Sequence, residues 1–285
     1  MAPVVLDPEQ SGSIARTFAA DGYDLRYRSW SSTIGENRGV IVLLNGIMSH
    51  SLWFFPLAKP LRDAGFKLVG ADRRGSGANE AARGDAPSSK VLIDDACRII
   101  ERERLSDRPL YLVGWCWGAV LAMNLAAELS GRIDGLALLA PGLFPTVEVK
   151  RRMAEQEPLA RGQPESAPCL ESPISEDMFT SGPFLDDFIV KDEHRLARFT
   201  PRFLAAMGKL GMGARLALPK LALPILLVLA ERDRATDNTE TERGFEKAKA
   251  ARVTRVRLES AHGMQFDVPE ALARSIVEWT EGRTA

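Results

Sequence analysis

Residues 110–119 read Leu-Tyr-Leu-Val-Gly-Trp-Cys-Trp-Gly-Ala. An apolar strand runs into Gly114-Trp115-Cys116-Trp117-Gly118, and helical apolar spacing begins near Ala119. The pattern is GxCxG at a strand-to-helix turn. Such a turn holds its central residue in a strained conformation that projects the side chain. Glycines flank it because Cβ atoms there would collide with neighbouring backbone. As a bare string GxCxG is common by chance; the strand before it and the helix after it give it weight. The competing reading is a buried, inert cysteine.

Outward from this turn, short apolar runs alternate with helical periodicity. Strands are expected at Gly39–Leu44, Phe66–Gly70, Leu110–Trp115, Ile133–Leu139, Ile225–Ala230 and Val253–Leu258. Helices are expected at Leu52–Ala64, Lys90–Arg104, Ala119–Leu129, Glu240–Ala250 and Pro269–Trp279, where apolar residues recur at spacings of three and four. This alternation predicts an α/β fold with a mostly parallel central sheet flanked by helices. Before residue 39, the alternation of Tyr23, Leu25 and Tyr27 with polar neighbours predicts antiparallel edge strands. Residues 144–219 break the rhythm: they carry eight of the 17 prolines and no run resembling a buried parallel strand. They read as a helical cap inserted into a core of residues 1–143 and 220–285. Within the cap, Phe179, Phe184, Phe188, Phe199, Phe203, Met207 and Met212 recur among charged residues, as in short amphipathic helices laid over an apolar surface.

Composition narrows the function classes. The chain has 285 residues, with 37 Lys and Arg against 38 Asp and Glu, a net charge of −1. No block of like charges points to nucleic acid or a polybasic membrane contact. The longest apolar run, Leu221–Ala230, is half a membrane span and contains Pro224. Met1–Gln10 lacks the basic leader and long apolar segment of a secretory signal, so a cytoplasmic location is expected. Cys97, Cys116 and Cys169 are odd in number, scattered and free of CxxC pairing, which suggests neither a disulfide framework nor a metal site. No metal and no cofactor are expected.

The sequence resembles the α/β-hydrolase fold superfamily, with Cys116 where the nucleophile elbow usually carries serine. Val40-Ile-Val-Leu-Leu-Asn-Gly-Ile47 resembles the strand and oxyanion loop of that family, and Gly70-Ala-Asp-Arg-Arg-Gly-Ser-Gly77 its DxRGxG turn. Pro224-Ile-Leu-Leu-Val-Leu-Ala-Glu-Arg-Asp233 resembles the strand that ends in the catalytic acid, and Ser260-Ala-His-Gly-Met264 the loop bearing the histidine. The order nucleophile, acid, histidine is the family's order. The likeness covers residues 38–143 and 220–282; elsewhere it is analogy of fold. Of the three histidines, only His262 follows a strand pattern late in the chain, whereas His50 and His194 read as structural. Glu231, Asp233 and Asp237 all lie at or after the preceding strand end. Asp233 fits the acid best by position; Asp237, which looks like a helix cap, is the alternative.

The resemblance implies a Cys116–His262–Asp233 triad, with the backbone N–H groups of Ile47 and Trp117 as the oxyanion hole. Asn45, Trp115 and Met264 are the further residues expected at the substrate. Three features depart from the usual pattern: Asn45 replaces histidine in the HG turn, Cys116 replaces serine, and Trp115 and Trp117 are bulky flanks. Cysteine-centred members of the superfamily, such as dienelactone hydrolases and polyhydroxyalkanoate synthases, indicate that the second change is compatible with catalysis. A cysteine forms a thioester acyl-enzyme close in energy to a thioester substrate, so acyl-carrier thioesters join esters as expected substrates. The expected activity is hydrolysis or transfer of an apolar acyl group. The alternative is isomerase, cyclase or lyase chemistry with His262 as base and the oxyanion hole holding an enolate. A ligand receptor without catalysis is the third reading. The oligomeric state stays open.

Overall fold

The computed structural model describes residues 12–35, 38–248 and 252–282. Its strands are Ile14–Ala20 (β1), Tyr23–Trp30 (β2), Gly39–Leu44 (β3), Phe66–Ala71 (β4), Leu110–Trp115 (β5), Gly135–Leu139 (β6), Leu170–Glu171 (β7), Arg198–Phe199 (β8), Ile225–Ala230 (β9) and Val253–Leu258 (β10). Its helices are Phe55–Asp63 (α1), Ser89–Glu103 (α2), Trp117–Glu128 (α3), Val147–Ala160 (α4), Pro201–Ala217 (α5), Asn238–Phe245 (α6), Met264–Asp267 (α7) and Pro269–Thr280 (α8). The stretch Met1–Gln10, read above for a leader, lies outside the described residues, as does the end of the helix expected at Glu240–Ala250.

Eight strands form one sheet in the order β1-β2-β4-β3-β5-β6-β9-β10. β1 and β2 are antiparallel to each other, and β2 is antiparallel to β4. From β4 to β10 every neighbouring pair is parallel. β3, β6 and β9 are buried at every residue, the pattern expected of parallel strands covered by helices on both faces. α1 packs on α8, and α2 on α3. This is the α/β-hydrolase fold.

The strand order fixes where a site can form. The chain passes from β3 to β4 on one side and then crosses to β5 on the other, so the direction of winding reverses between β3 and β5. Ligands in open α/β sheets bind at the carboxyl ends of strands flanking such a reversal. There Leu44 pairs with Gly114, which brings the Asn45–Ile47 loop beside the 114–118 turn.

Residues 144–219 carry the expected short helices at Glu176–Met178 and Phe184–Ile189, the second bearing Phe184 and Phe188, but also two long ones. α4 spans 14 residues and α5 spans 17, joined by the two-residue antiparallel ladder β7–β8. Phe179 and Phe199 lie outside the α-helices, Phe203 is buried in α5, and Met212 is exposed. The segment is tied to the sheet by polar contacts. Buried Asp85 accepts hydrogen bonds from the Thr200 hydroxyl (2.7 Å) and from Arg202 at the start of α5. Asp192 accepts from the indole N–H of Trp53 (2.6 Å) and pairs with His50 Nε2 (2.8 Å).

Candidate active site

Cys116 sits between β5 and α3 at φ +55°, ψ −122°, a left-handed conformation that a residue with a Cβ adopts at a cost. Its surroundings hold it there. Its N–H donates to Leu139 O at 2.9 Å, and its carbonyl accepts from Gly142 N (2.9 Å) and Ala119 N (3.1 Å). The flanking glycines are sterically required: a Cβ on Gly118 would lie 2.0 Å from Leu44 O, and one on Gly114 would lie 2.6 Å from Ala119 Cα. Helix α3 therefore starts at Trp117, two residues before the expected Ala119, with Cys116 as its N-cap residue. The thiol side chain is 2% exposed.

His262 lies in the loop between β10 and α7, and its Nδ1 meets both carboxylate oxygens of Asp233, at 2.9 and 3.0 Å. Both side chains are fully buried. Asp233 is itself fixed: Oδ1 accepts from the backbone N–H of Ala235 (2.7 Å) and Thr236 (2.9 Å), and Oδ2 from the Thr236 hydroxyl (2.6 Å). Burial works to raise the Asp233 pKa, but the neighbouring His262 charge and these hydrogen bonds hold it below the ordinary carboxylate value. For His262, burial would favour the neutral ring; the charges of Asp233 and Cys116 outweigh it and push the pKa up to about 10. Among the described residues the ring's Nε2 is buried with no nitrogen or oxygen partner, and Cys116 is near enough to act on the ring. Asp237, the alternative acid, caps α6 by accepting from Glu240 N at 2.9 Å. Of the candidate acids, Asp233 is the one brought to His262.

Ile47 and Trp117 both line the cavity at Cys116, and among the described residues neither backbone N–H donates a hydrogen bond. Beside them is a residue that sequence reasoning missed. Arg73, in the DxRGxG turn, is buried and donates to Gly46 O (2.5 Å) and Ile47 O (2.6 Å). Its guanidinium lies over the rings of Trp117 (5.0 Å) and Phe203 (5.7 Å). Thr236 was missed as well. The signals were weak: Arg73 occupies the variable position of the turn, and Thr236 follows the acid by three residues, as many solvated hydroxyls do.

A cavity of about 380 Å³ opens at Cys116, with Ile47 and Trp117 in its wall. Val120, Leu143, Val149, Leu170, Phe199, Leu204 and Met207 give it an apolar lining, with Gln156, Glu171 and Arg215 as polar members. Three expected substrate residues are not in it. Trp115 is fully buried, its indole N–H donating to His262 O at 2.9 Å, so it supports the histidine loop from behind. Met264 is buried in the core. Asn45 turns its amide onto its own loop, donating to Gly46 O and Ser49 O. All three are buried, and none lines the cavity.

Comparison with known proteins places the chain. It is 25% identical to monoglyceride lipase of Homo sapiens over 93% of this chain and 89% of that protein. It is 24% identical to phospholipase YtpA of Bacillus subtilis over 76% of this chain and 84% of that one. Among solved structures, a soluble variant of monoglyceride lipase from Saccharomyces cerevisiae superposes with a TM-score of 0.84 at 16% identity over the whole of both chains. The family model for serine aminopeptidase S33 matches residues 35–268. With this family match, and with the elbow, acid and histidine in sequence order on the α/β-hydrolase fold, the chain belongs to the serine aminopeptidase S33 family of hydrolases.

Proposed function

We propose that the protein hydrolyses carboxylic esters of apolar acyl groups through a thioester acyl-enzyme on Cys116, with His262 and Asp233 completing a triad. The observation that carries this reading is the cavity: its largely apolar wall includes Cys116, Ile47 and Trp117. The ester-cleaving names of its relatives, monoglyceride lipase and phospholipase, support the same substrate class.

The chemistry follows from the geometry. The Cys116 sulfur attacks the ester carbonyl carbon, and the carbonyl π pair moves to oxygen, where the N–H groups of Ile47 and Trp117 receive it. Collapse of this intermediate breaks the carbon–oxygen ester bond. The departing alkoxide takes the proton held on His262, whose raised pKa keeps it protonated at neutral pH. Water then attacks the thioester carbon and passes its proton to His262, and the carbon–sulfur bond breaks with its electron pair returning to sulfur, which releases the acid and restores the starting charges. Asp233 holds the ring tautomer throughout. Residues 144–219 act as the lid that carries most of the apolar wall. An acyl-carrier thioester enters the same scheme with a thiolate leaving group.

Incubation with p-nitrophenyl esters, a monoacylglycerol and an acyl thioester, read by intact mass, tests the proposal. The expected result is an acyl adduct on Cys116, with Cys116→Ala losing the adduct and about 10³-fold or more of turnover. Unmodified Cys116 during turnover, or an active alanine variant, removes the acyl-enzyme scheme and favours chemistry with His262 as base.

A further inference from the structure

Arg73 is a cation buried without an ion-pair partner among the described residues. Burying a charge without a counter-charge is costly, so such a group calls for a compensating anion or a set of strong acceptors. Asp72, next in sequence, acts on Arg73 through space but forms no ion pair with it; its Oδ1 accepts from Ser51 N at 2.6 Å. What Arg73 has instead is the oxyanion loop. One guanidinium nitrogen donates to the carbonyl of Gly46 and the other to the carbonyl of Ile47.

The first of these bonds has a direct chemical consequence. The carbonyl of Gly46 and the N–H of Ile47 belong to one planar peptide unit, with oxygen and hydrogen on opposite sides. A charged donor at the oxygen draws electron density away from the nitrogen and makes the N–H a stronger donor, as in any polarised hydrogen-bond chain. The guanidinium also lies over the ring of Trp117, the residue that follows the nucleophile. Resting on the reading of Cys116 as nucleophile with Ile47 as oxyanion donor, we propose that Arg73 is a positioning residue that polarises the Gly46–Ile47 peptide and so strengthens oxyanion stabilisation during acyl transfer. The charge that appears on the oxyanion then adds to that of Asp72 in offsetting this buried cation.

This role separates two reactions of the same sulfur. Acylation by p-nitrophenyl acetate builds an oxyanion; alkylation by iodoacetamide displaces iodide and builds none. Both are measured on Cys116, the first as single-turnover acylation and the second by peptide mass, in the parent protein and in Arg73→Lys, Arg73→Gln and Arg73→Met. The expected result is acylation slowed about 30-fold in Arg73→Met, with KM and the alkylation rate within about threefold of the parent. Arg73→Lys, which keeps the charge and one of the two bonds, is expected to fall between the parent and Arg73→Gln. If Arg73→Met does not fold, the Lys and Gln pair alone decides. Equal loss of acylation and alkylation assigns Arg73 to the fold or the thiol and overturns the proposal. Acylation unchanged in the glutamine variant overturns it as well. Failure of the underlying reading has a different signature: the parent protein itself gives no acyl adduct on Cys116.

Discussion

The proton on His262 is held by two neighbours. Asp233 sits against Nδ1 and the Cys116 charge acts on the ring, and together they overcome burial to raise the pKa to about 10. In the proposed reaction the protonated ring delivers a proton to an alkoxide leaving group, so kcat/KM for an alkyl ester is expected to fall as pH rises through about 10. The same shift is a statement about stability. A group whose folded pKa lies above its unfolded value of 6.5 contributes fully below pH 6.5, and the contribution is lost as pH rises through about 10. In Asp233→Asn the larger charge is gone. The alkaline limb of the rate profile should move to lower pH, the difference in melting temperature from the parent should shrink as pH approaches 10, and kcat should drop by about 10³-fold or more. A rate profile that keeps its alkaline limb in Asp233→Asn would remove the carboxylate as the cause.

At the scale of elements, the parts legible in the sequence are those whose burial is complete. β3, β6 and β9 lie between layers of helix, so both faces need apolar side chains and the runs stand out. The elbow was legible because sterics leave few residues free to vary: Gly114 and Gly118 are dictated by contacts that any Cβ would violate. The 144–219 segment was not. α5 buries Phe203, Ala206, Leu210 and Ala214 at spacings of three and four, but glycines and alanines blur the contrast that periodicity needs. α4 buries little besides Val149, so its apolar face is nearly invisible. Arg73 escaped because nothing in a sequence separates a buried arginine from a solvated one. The elbow's steric argument has a test. In Gly118→Ala the new methyl would meet the Leu44 carbonyl, so α3 must withdraw from β3 and the turn must open. Such a variant is expected to lose about 3 kcal/mol in chemical denaturation, at the upper end for overpacking, together with acylation of Cys116. Unchanged stability would mean that the helix has more room than this close approach allows.

For the whole molecule, the decisive relation is between the sheet and the segment over it. The sheet supplies the sulfur, the imidazole and the carboxylate; the segment supplies Leu204, Met207, Gly208 and Gly211 from one face of α5, and with them much of the cavity wall. No described helix is long and apolar enough to cross a membrane. The two glycines offer a way to change the cavity without disturbing the fold, because a Cβ at either position meets nothing within 4 Å. Replacing a helical glycine also favours the helix, by up to about 1 kcal/mol. Gly211→Leu should therefore fold at least as well as the parent while its side chain occupies the acyl volume. On a series of p-nitrophenyl esters, kcat/KM for decanoate is expected to fall about tenfold or more, with acetate held within about threefold, since a short acyl group does not reach α5. Gly208→Leu, one turn earlier on the same face, should shift the preference in the same direction. Uniform loss across the series, with an unchanged melting temperature, would place the acyl chain elsewhere and leave this cavity to the leaving group.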